Sequence, residues 1–454
     1  MYSGRRVLLI GYGVLGTELL LHLERAGAVV VVILDDRFAD LAHEQRVQGP
    51  LDLAPEILDT DDVDLVVIGA SLIGSGRINW LTGHARRRGI PIYVAPERSE
   101  IDSMDRLHEQ ARVPSIEDLF ARSSLEVDWD RITQVVAGRR VLVTGAGGSI
   151  GRQTVIQLAS HGVEVIGLLD RDDCLLHDVA VELTGSMHDP LHPLFHVDIQ
   201  HESKVLRAFR DFRPEIVVHA AALKHVTTLE TDPSNALAVN VLGTANVLEA
   251  AAATGVDLLV NVSTDKAASR IGSLGVSKYI GERMTSAMGV PGYRSVRFGN
   301  VIGSRGSVLH TFRLQAEHHG EVAVRGDETT RFFMTPGEAG SLVLSTFAQK
   351  SASGTFVFRM GDPVQIRRLA QAVIDDVDVG ARIKMTSLEA GEARHEQLFG
   401  DDEKPSETDV EEVFRVDPPG LDTSEVRGRL GSLDEVMSLT VEAGRALLEE
   451  LAEC

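Results

Sequence analysis

The sequence predicts an α/β protein with two doubly wound parallel-sheet units. Three observations carry this. Short β-branched apolar runs alternate with segments of helical length and helical apolar spacing. A glycine turn follows the first run in each half, as Gly11-Tyr-Gly-Val-Leu-Gly16 and as Thr144-Gly-Ala-Gly-Gly-Ser-Ile-Gly151. In each half the next apolar run ends on a carboxylate, at Asp35-Asp36 and at Asp170.

In the first unit, placed at residues 1–104, strands are expected at Arg5–Ile10, Val29–Leu34, Val63–Ile68 and Ile90–Val94, with a helix after the glycine turn as far as Glu24. The stretch 105–138 is polar and helix-prone and is expected to be a helical linker. The second unit, 139–454, restarts the pattern with a strand at Arg140–Val143, a helix at Arg152–His161 and a strand at Val163–Leu169. It continues through Glu215–His219, Asn235–Ala252 and Asp257–Ser263. Beyond about Val290, short elements such as Arg294–Phe298 and Gly337–Phe347 alternate with irregular loops, which predicts a smaller substrate lobe mainly from residue 291 onward. Gly400–Glu412 is acidic and reads as a solvated loop, and Ser432–Ala452 as one amphipathic helix.

A chain of 454 residues with formal charge −22 is poorly suited to bind nucleic acid or anionic lipid, both of which demand a basic face. The two cysteines, Cys174 and Cys454, give no disulfide framework and fit a reducing cytoplasm. No signal peptide is read at Met1-Tyr-Ser-Gly-Arg-Arg. The apolar stretches Ala28–Leu34 and Val63–Ile73 fall short of the roughly 20 residues that span a bilayer. A soluble, cytoplasmic protein without a membrane span is expected.

Both glycine turns sit between a strand and a helix, the context of a dinucleotide-binding Rossmann fingerprint. The glycines let the backbone approach a pyrophosphate, and the helix N-terminus offers free N–H groups to it. For the first unit, a bound nucleotide and a fold kept for packing alone both stand. The second motif is richer. Gly145, Gly148, Ser149, Ile150 and Gly151 form the expected phosphate cradle, and Asp170 faces the adenosine ribose. A carboxylate there favours NAD over NADP, although Arg171 beside it weakens that preference. Asp198 and Ile199 are expected near the adenine, and Ala220, Ala221, Lys224 and Asn240 near the rest of the cofactor. No metal is expected.

The chemistry is expected at Thr264-Asp265-Lys266 and at Leu274-Gly-Val-Ser-Lys278. An ordinary short-chain dehydrogenase carries Tyr-x-x-x-Lys, a spacing that puts both residues on one helix face. Lys278 holds the lysine position and would bind the nicotinamide ribose, but Leu274 holds the tyrosine position and carries no proton. An adjacent acid and base at a strand end, Asp265 and Lys266, suit a dehydration.

The segments VLVTGAGGSIG (141–151), HAAALKHV (219–226), NVLGTANV (240–247), VSTDKA (262–267), VRFGNVIGSRGSV (296–308) and TRFFMTPGEA (330–339) resemble one family. It is the polysaccharide-biosynthesis (CapD-like) UDP-N-acetylglucosamine 4,6-dehydratases of the extended short-chain dehydrogenase/reductase superfamily, in their long form. IEDLF (116–120) and the first unit also look like the long form, whose usual transmembrane helices are not expected here. The resemblance implies NAD⁺-dependent oxidation at sugar C4, removal of the C5 proton by Lys266, protonation of the leaving C6 hydroxyl by Asp265 and hydride return to C6. It implies that Thr264 hydrogen-bonds the C4 hydroxyl, that Lys224, Asn300, Arg305 and Arg331 contact a UDP-sugar, and that the chain forms a homo-oligomer. Leu274 is similar to the methionine that long-form members often carry there. The chain departs from the family pattern at Ser269-Arg-Ile-Gly-Ser273 and at Glu389-Ala-Gly-Glu-Ala393. A nucleotide-sugar 4-epimerase or other oxidoreductase on the same scaffold remains an alternative, as does a non-catalytic nucleotide-sensing partner.

Overall fold

The computed structural model describes residues 2–38, 46–60, 62–69, 75–95, 114, 127–163, 165–186, 189–349, 353–377, 380–410 and 412–454. The chain divides into two compact units, Met1–Leu125 and Glu126–Cys454. Most of the expected linker lies outside the described residues. Its last part, Trp129–Val136, is a helix capped by Asp128, and it packs within the second unit.

In the first unit, β1 (Arg6–Ile10), β2 (Val29–Leu34), β3 (Leu65–Ile68) and β4 (Ile92–Val94) form a sheet in the order β2-β1-β3-β4. Every pairing is parallel. Strands covered on both faces read as continuous apolar runs, and two separate apolar clusters enclose this sheet. The helix Val14–Arg25 follows the first glycine turn. Gly16 has no alternative there, because a Cβ would lie 2.1 Å from the Gly11 carbonyl oxygen. Asp35 accepts backbone N–H bonds from Tyr12 at 2.7 Å and Arg37 at 2.8 Å, which ties the end of β2 to the glycine turn.

The second unit is organised on a nine-stranded sheet. Its parallel part comprises β5 (Arg140–Thr144), β6 (Val165–Asp170), β7 (Leu194–His196), β8 (Ile216–His219), β9 (Leu258–Val262), β10 (Tyr293–Arg297) and a later strand, Gly354–Phe358, that pairs with β10. Beyond these run β11 (Asn300–Val301), β12 (Glu321–Arg325), β13 (Thr330–Arg331), β14 (Phe333–Met334), β15 (Gly354–Phe358), β16 (Val364–Gln365), β17 (Arg382–Thr386), β18 (Ser406–Glu407) and β19 (Val413–Val416). The main sheet runs β18-β19-β15-β10-β9-β8-β5-β6-β7. Strand order reverses at β5, whose neighbours are β6 and β8, and in such sheets the crevice at this switch point receives ligands.

The main sheet continues into the part expected to hold most of the substrate lobe: β10, β15 and the antiparallel β19 and β18 extend it, and among the described residues the small pairs β11–β14, β12–β17 and β13–β16 stand apart. Two expectations are corrected. The acidic stretch 400–412 is not simply solvated, because Ser406–Glu407 pairs with β19 and the Glu403 carboxylate is buried against Arg297. The C-terminal helix is two helices, Leu433–Met437 and Val441–Glu453, the second restarted by the Thr440 side chain accepting from Ala443 N–H.

One helical stretch, Ala236–Thr254, is long and apolar enough to cross a membrane, but 83% of that window is buried inside the protein. It forms the middle of the second unit's core with the helix Gly272–Ala287. That helix carries Leu274, Lys278 and Glu282, all buried.

Candidate active site

The glycine turn after β5 is shaped by close backbone approach. Gly145 has φ +66°, and a Cβ on it would sit 2.6 Å from the Ala221 amide nitrogen. A Cβ on Gly151 would sit 2.1 Å from the Gly145 carbonyl oxygen. The helix Ser149–Ser160 starts at Gly148 with no side-chain cap. The N–H groups of Ser149, Ile150 and Gly151 are therefore available to an anion, with the helix dipole behind them. Asp170, at the end of β6, accepts from Gly147 N–H at 3.0 Å and Asp172 N–H at 3.1 Å. This repeats the Asp35–Tyr12 arrangement of the first unit. Past the ends of β6 and β7 lies a cavity of about 550 Å³ lined by Arg171, His196, Asp198, His201 and Lys204 among others. Arg171 and Asp198 face each other across 3.9 Å. Of the residues expected around adenosine, Arg171 and Asp198 line this cavity.

The strand after the turn pairs β5 with β8 and brings Ala220 and Ala221 beside Thr144. His219 lies between two hydroxyls, Thr144 at 2.7 Å from Nδ1 and Thr244 at 3.1 Å from Nε2. Complete burial, helped by the charge of Lys278, pushes its pKa down to about 3. Burial likewise lowers Lys278 to about 8, against the charge of Glu282. Lys224 donates to the Arg305 carbonyl at 2.7 Å and the Ser304 hydroxyl at 3.3 Å, and burial lowers its pKa. Asn240 is buried, and its amide is committed to the protein. It accepts from Leu223 N–H at 2.9 Å and donates to the Leu223 carbonyl and Ser277 hydroxyl at 3.1 Å each. It shapes the 220–224 loop.

The expected acid–base pair lies where β9 gives way to the short helix Lys266–Ser269. Asp265 is fully buried, and its Oδ1 accepts from the Thr264 hydroxyl at 3.0 Å and from Lys266 Nζ at 3.2 Å. The Lys266 side chain is 21% exposed. Its Nζ also donates to Asn300 Oδ1 at 3.2 Å and lies 2.6 Å from Glu396 Oε1. Asn300 Nδ2 donates to Glu396 Oε2 at 2.7 Å, and Arg331 Nε lies 3.1 Å from Glu396 Oε1. Burial opposes the charged form of Lys266, but Asp265 and Glu396 outweigh it and hold the pKa above the usual lysine range. Burial first, and then the charge of Asp265, pushes Glu396 up to about 7.

Four elements distant in sequence build this cluster. The segment 394–396 is held against β13 by Thr330 N–H donating to the Arg394 carbonyl and by a Thr330–His395 side-chain bond of 2.9 Å. Asn300 is placed by β11 pairing with β14. Asp265 and Glu396 are buried while the Lys266 side chain stays 21% exposed, an environment in which acid–base groups can be matched to one another.

Residues 141–418 match the family described as "Polysaccharide biosynthesis protein". The chain belongs to that family. It is 30% identical over 429 residues to the capsular polysaccharide biosynthesis protein CapD of Staphylococcus aureus, covering 90% of this chain and 71% of that one. It is 28% identical over 289 residues to the inverting UDP-N-acetylglucosamine 4,6-dehydratase of Campylobacter jejuni serotype O:23/36, covering 62% and 83%. Among solved structures, Pen from Bacillus thuringiensis superposes with a TM-score of 0.58 at 25% identity, covering 65% of this chain and 97% of that one.

Thr264, Asp265 and Lys266, expected as catalytic, and Asn300 and Arg331, expected as substrate contacts, are brought into one cluster. Arg331, expected at a diphosphate, lies beside the acid–base pair, with Nη1 donating to the Thr330 and Arg394 carbonyls. Arg305 does not join them: its side chain is 72% exposed and pairs with Asp178 at 3.6 Å. The Ile199 side chain is core, lying where a Cβ on Gly243 would meet it at 2.7 Å. Glu396 was not foreseen. It is 96 residues from Asn300 in sequence, in a segment with neither helical nor strand periodicity, so only the tertiary fold reveals it.

Proposed function

We propose that the second unit is an NAD-dependent nucleotide-sugar 4,6-dehydratase, with UDP-N-acetylglucosamine or a close UDP-hexose as substrate. The observation that carries this reading is the buried Asp265 in contact with both Thr264 and Lys266, on a chain whose usual tyrosine is Leu274. A simple hydride transfer needs no second acid; elimination of water does. The relative from Campylobacter jejuni, named for this reaction, supports the same reading.

The residues fit a nicotinamide dinucleotide. The uncapped N-terminus at Gly148 suits its pyrophosphate, Asp170 its adenosine ribose and Lys278 its nicotinamide ribose. Asp170 favours NAD, since a 2′-phosphate would meet its carboxylate. When bound, the nicotinamide supplies hydride acceptance at sugar C4 and hydride return at C6.

The protein does the rest. Thr264 holds the C4 hydroxyl and relays its proton toward Asp265 Oδ1. The C4 ketone acidifies C5, and the Lys266 amine takes the C5 proton. Asp265 protonates the C6 hydroxyl, which leaves as water. Lys266 then returns its proton to C5.

The test is incubation with a panel of UDP- and dTDP-hexoses in heavy water, read by mass spectrometry. Loss of one water with deuterium at C5 is the expected result. Bound NAD without turnover of any sugar would end the reading. An epimerised product with no loss of water would replace it with the epimerase alternative.

A further inference from the structure

Glu396 is a buried carboxyl inside the catalytic cluster that the proposed reaction, as written above, does not use. Its side chain is 2% exposed. The charged groups facing it are Asp265, Lys266 and Arg331, with the neutral Asn300 amide on its other oxygen. Both acids close on one amine, with Asp265 Oδ1 at 3.2 Å and Glu396 Oε1 at 2.6 Å from Lys266 Nζ. Asp265 Oδ2 is buried and finds no hydrogen-bond donor among the described residues. Two carboxyls gathered on one amine in a buried site are costly to ionise together, and one proton between them lowers that cost. A proton on either acid also gives Asp265 Oδ2 a candidate donor.

The position of Leu274 makes this proton useful. At the tyrosine position an ordinary short-chain dehydrogenase keeps a proton-carrying side chain, and here there is none. The cluster must nevertheless accept a proton from the C4 hydroxyl, hold it during C5 deprotonation and deliver one to the C6 oxygen. Asp265 alone has room for one.

We infer that Asp265 and Glu396 share one proton beside Lys266, and that Glu396 takes up this proton so that Asp265 can receive the C4 proton and deliver it at C6, an inference that rests on the dehydration proposed above. The proton count closes. The reacting form has one proton on the acid pair and Lys266 as the neutral amine; it forms from the resting ammonium, which the two acids favour, when Nζ passes one proton to the pair. The C4 O–H bond breaks, its proton passes by Thr264 to Asp265, and the shared proton moves onto Glu396. The C5–H bond breaks to Lys266, the C6–O bond breaks, and the Asp265 proton leaves with that oxygen as water. The ammonium of Lys266 returns its proton to C5. The sugar has lost one water, and the pair again holds one proton.

Glu396 also orients Lys266, Asn300 and Arg331, so a test must separate proton storage from simple positioning. Glu396→Gln keeps the size and an acceptor for Asn300 but cannot ionise. With wild-type dehydration established, the variant should lose kcat by about 10²–10³-fold while the sugar KM moves little. The limb of the wild-type pH profile that lies near neutrality should disappear, and Glu396→Asp should recover part of the rate. Unchanged kcat in Glu396→Gln overturns the inference. So does a loss that appears in KM with the pH limb intact, which is what positioning alone predicts.

A second readout needs no turnover. Infrared titration of the full-length wild type should show one protonated buried carboxyl persisting to near-neutral pH, and both Asp265→Asn and Glu396→Gln should abolish it. Persistence in both variants overturns the shared proton. If the wild type turns over no sugar while this band behaves as expected, the dehydratase reading fails and the shared proton stands.

Discussion

Glu282 and Arg297 meet 2.5 Å apart behind the catalytic cluster, and neither side chain is exposed to solvent. Arg297 also contacts Glu403 at 2.7 Å, and the Ser263 hydroxyl donates to Glu282 at 2.5 Å. This one network joins the helix that carries Lys278 to the strand end that carries Thr264, Asp265 and Lys266. Removing one member of a buried pair leaves an uncompensated charge, at a cost of about 3–5 kcal/mol. Glu403 remains on Arg297, so Glu282→Gln should cost about 3 kcal/mol, at the lower end of that range. Urea unfolding of the two proteins measures it, and a difference below about 1 kcal/mol would show that the network is dispensable.

Lys266→Met separates the two halves of the proposed reaction. Methionine keeps the apolar stem and removes the amine. Sugar C4 can still be oxidised, because the Thr264–Asp265 contact does not depend on Lys266. The C5 proton then has no acceptor. The variant should build up reduced-nicotinamide absorbance when substrate is added, while C5 deuterium and water loss fall by about 10²–10⁴-fold. Wild-type deuterium incorporation in Lys266→Met would move the base elsewhere.

Leu274 is 6% exposed and lies in the core of the second unit, packed as an apolar side chain. If its position carries no proton chemistry, an apolar exchange of similar volume is tolerated. Leu274→Met should cost less than about 1.5 kcal/mol and leave kcat within a few-fold of wild type. A loss of kcat on the scale of a missing acid–base group, without a loss of stability, would show that the leucine shape itself is part of the chemistry.

The sequence revealed most of what local rules control. Both glycine turns, the carboxylates at Asp35 and Asp170 and the apolar strands are set by spacing and by residue type. The cluster members Thr264, Asp265 and Lys266 are adjacent in sequence, so a motif exposes them. Glu396 and Glu403 were hidden for the opposite reason. Each gains its role from partners about a hundred residues away, Asn300 and Arg297, and an acidic residue in an irregular segment looks solvated until those partners are placed. The extension of the main sheet by β15, β19 and β18 was missed because β18 has only two residues and β19 pairs antiparallel, outside the strand–helix alternation that marks the rest. Asn240, expected near the cofactor, has its amide on Leu223 and Ser277, partners that the sequence did not reveal.

His219 gives the fold a pH dependence with a definite sign. Its pKa in the folded protein is about 3, against 6.5 for the free side chain, and burial is the main cause. Between those two values the unfolded chain binds a proton that the native state refuses. The stability contributed by neutral His219 is therefore fully present above pH 6.5 and is lost as pH falls toward 3. The limiting slope is about 1.4 kcal/mol per pH unit for one proton. His219→Asn removes the titration but leaves the Thr144 and Thr244 hydroxyls poorly paired, so at neutral pH it should be about 1–3 kcal/mol less stable than wild type. That gap should narrow as the solution is acidified, because only the wild type has a neutral imidazole to lose. Urea unfolding of both proteins at a series of pH values from about 8 to about 5 measures the gap directly. A gap that stays constant across the series would mean that His219 titrates alike in the folded and unfolded chains, and a gap that widens on acidification would mean that it already carries its proton in the folded protein.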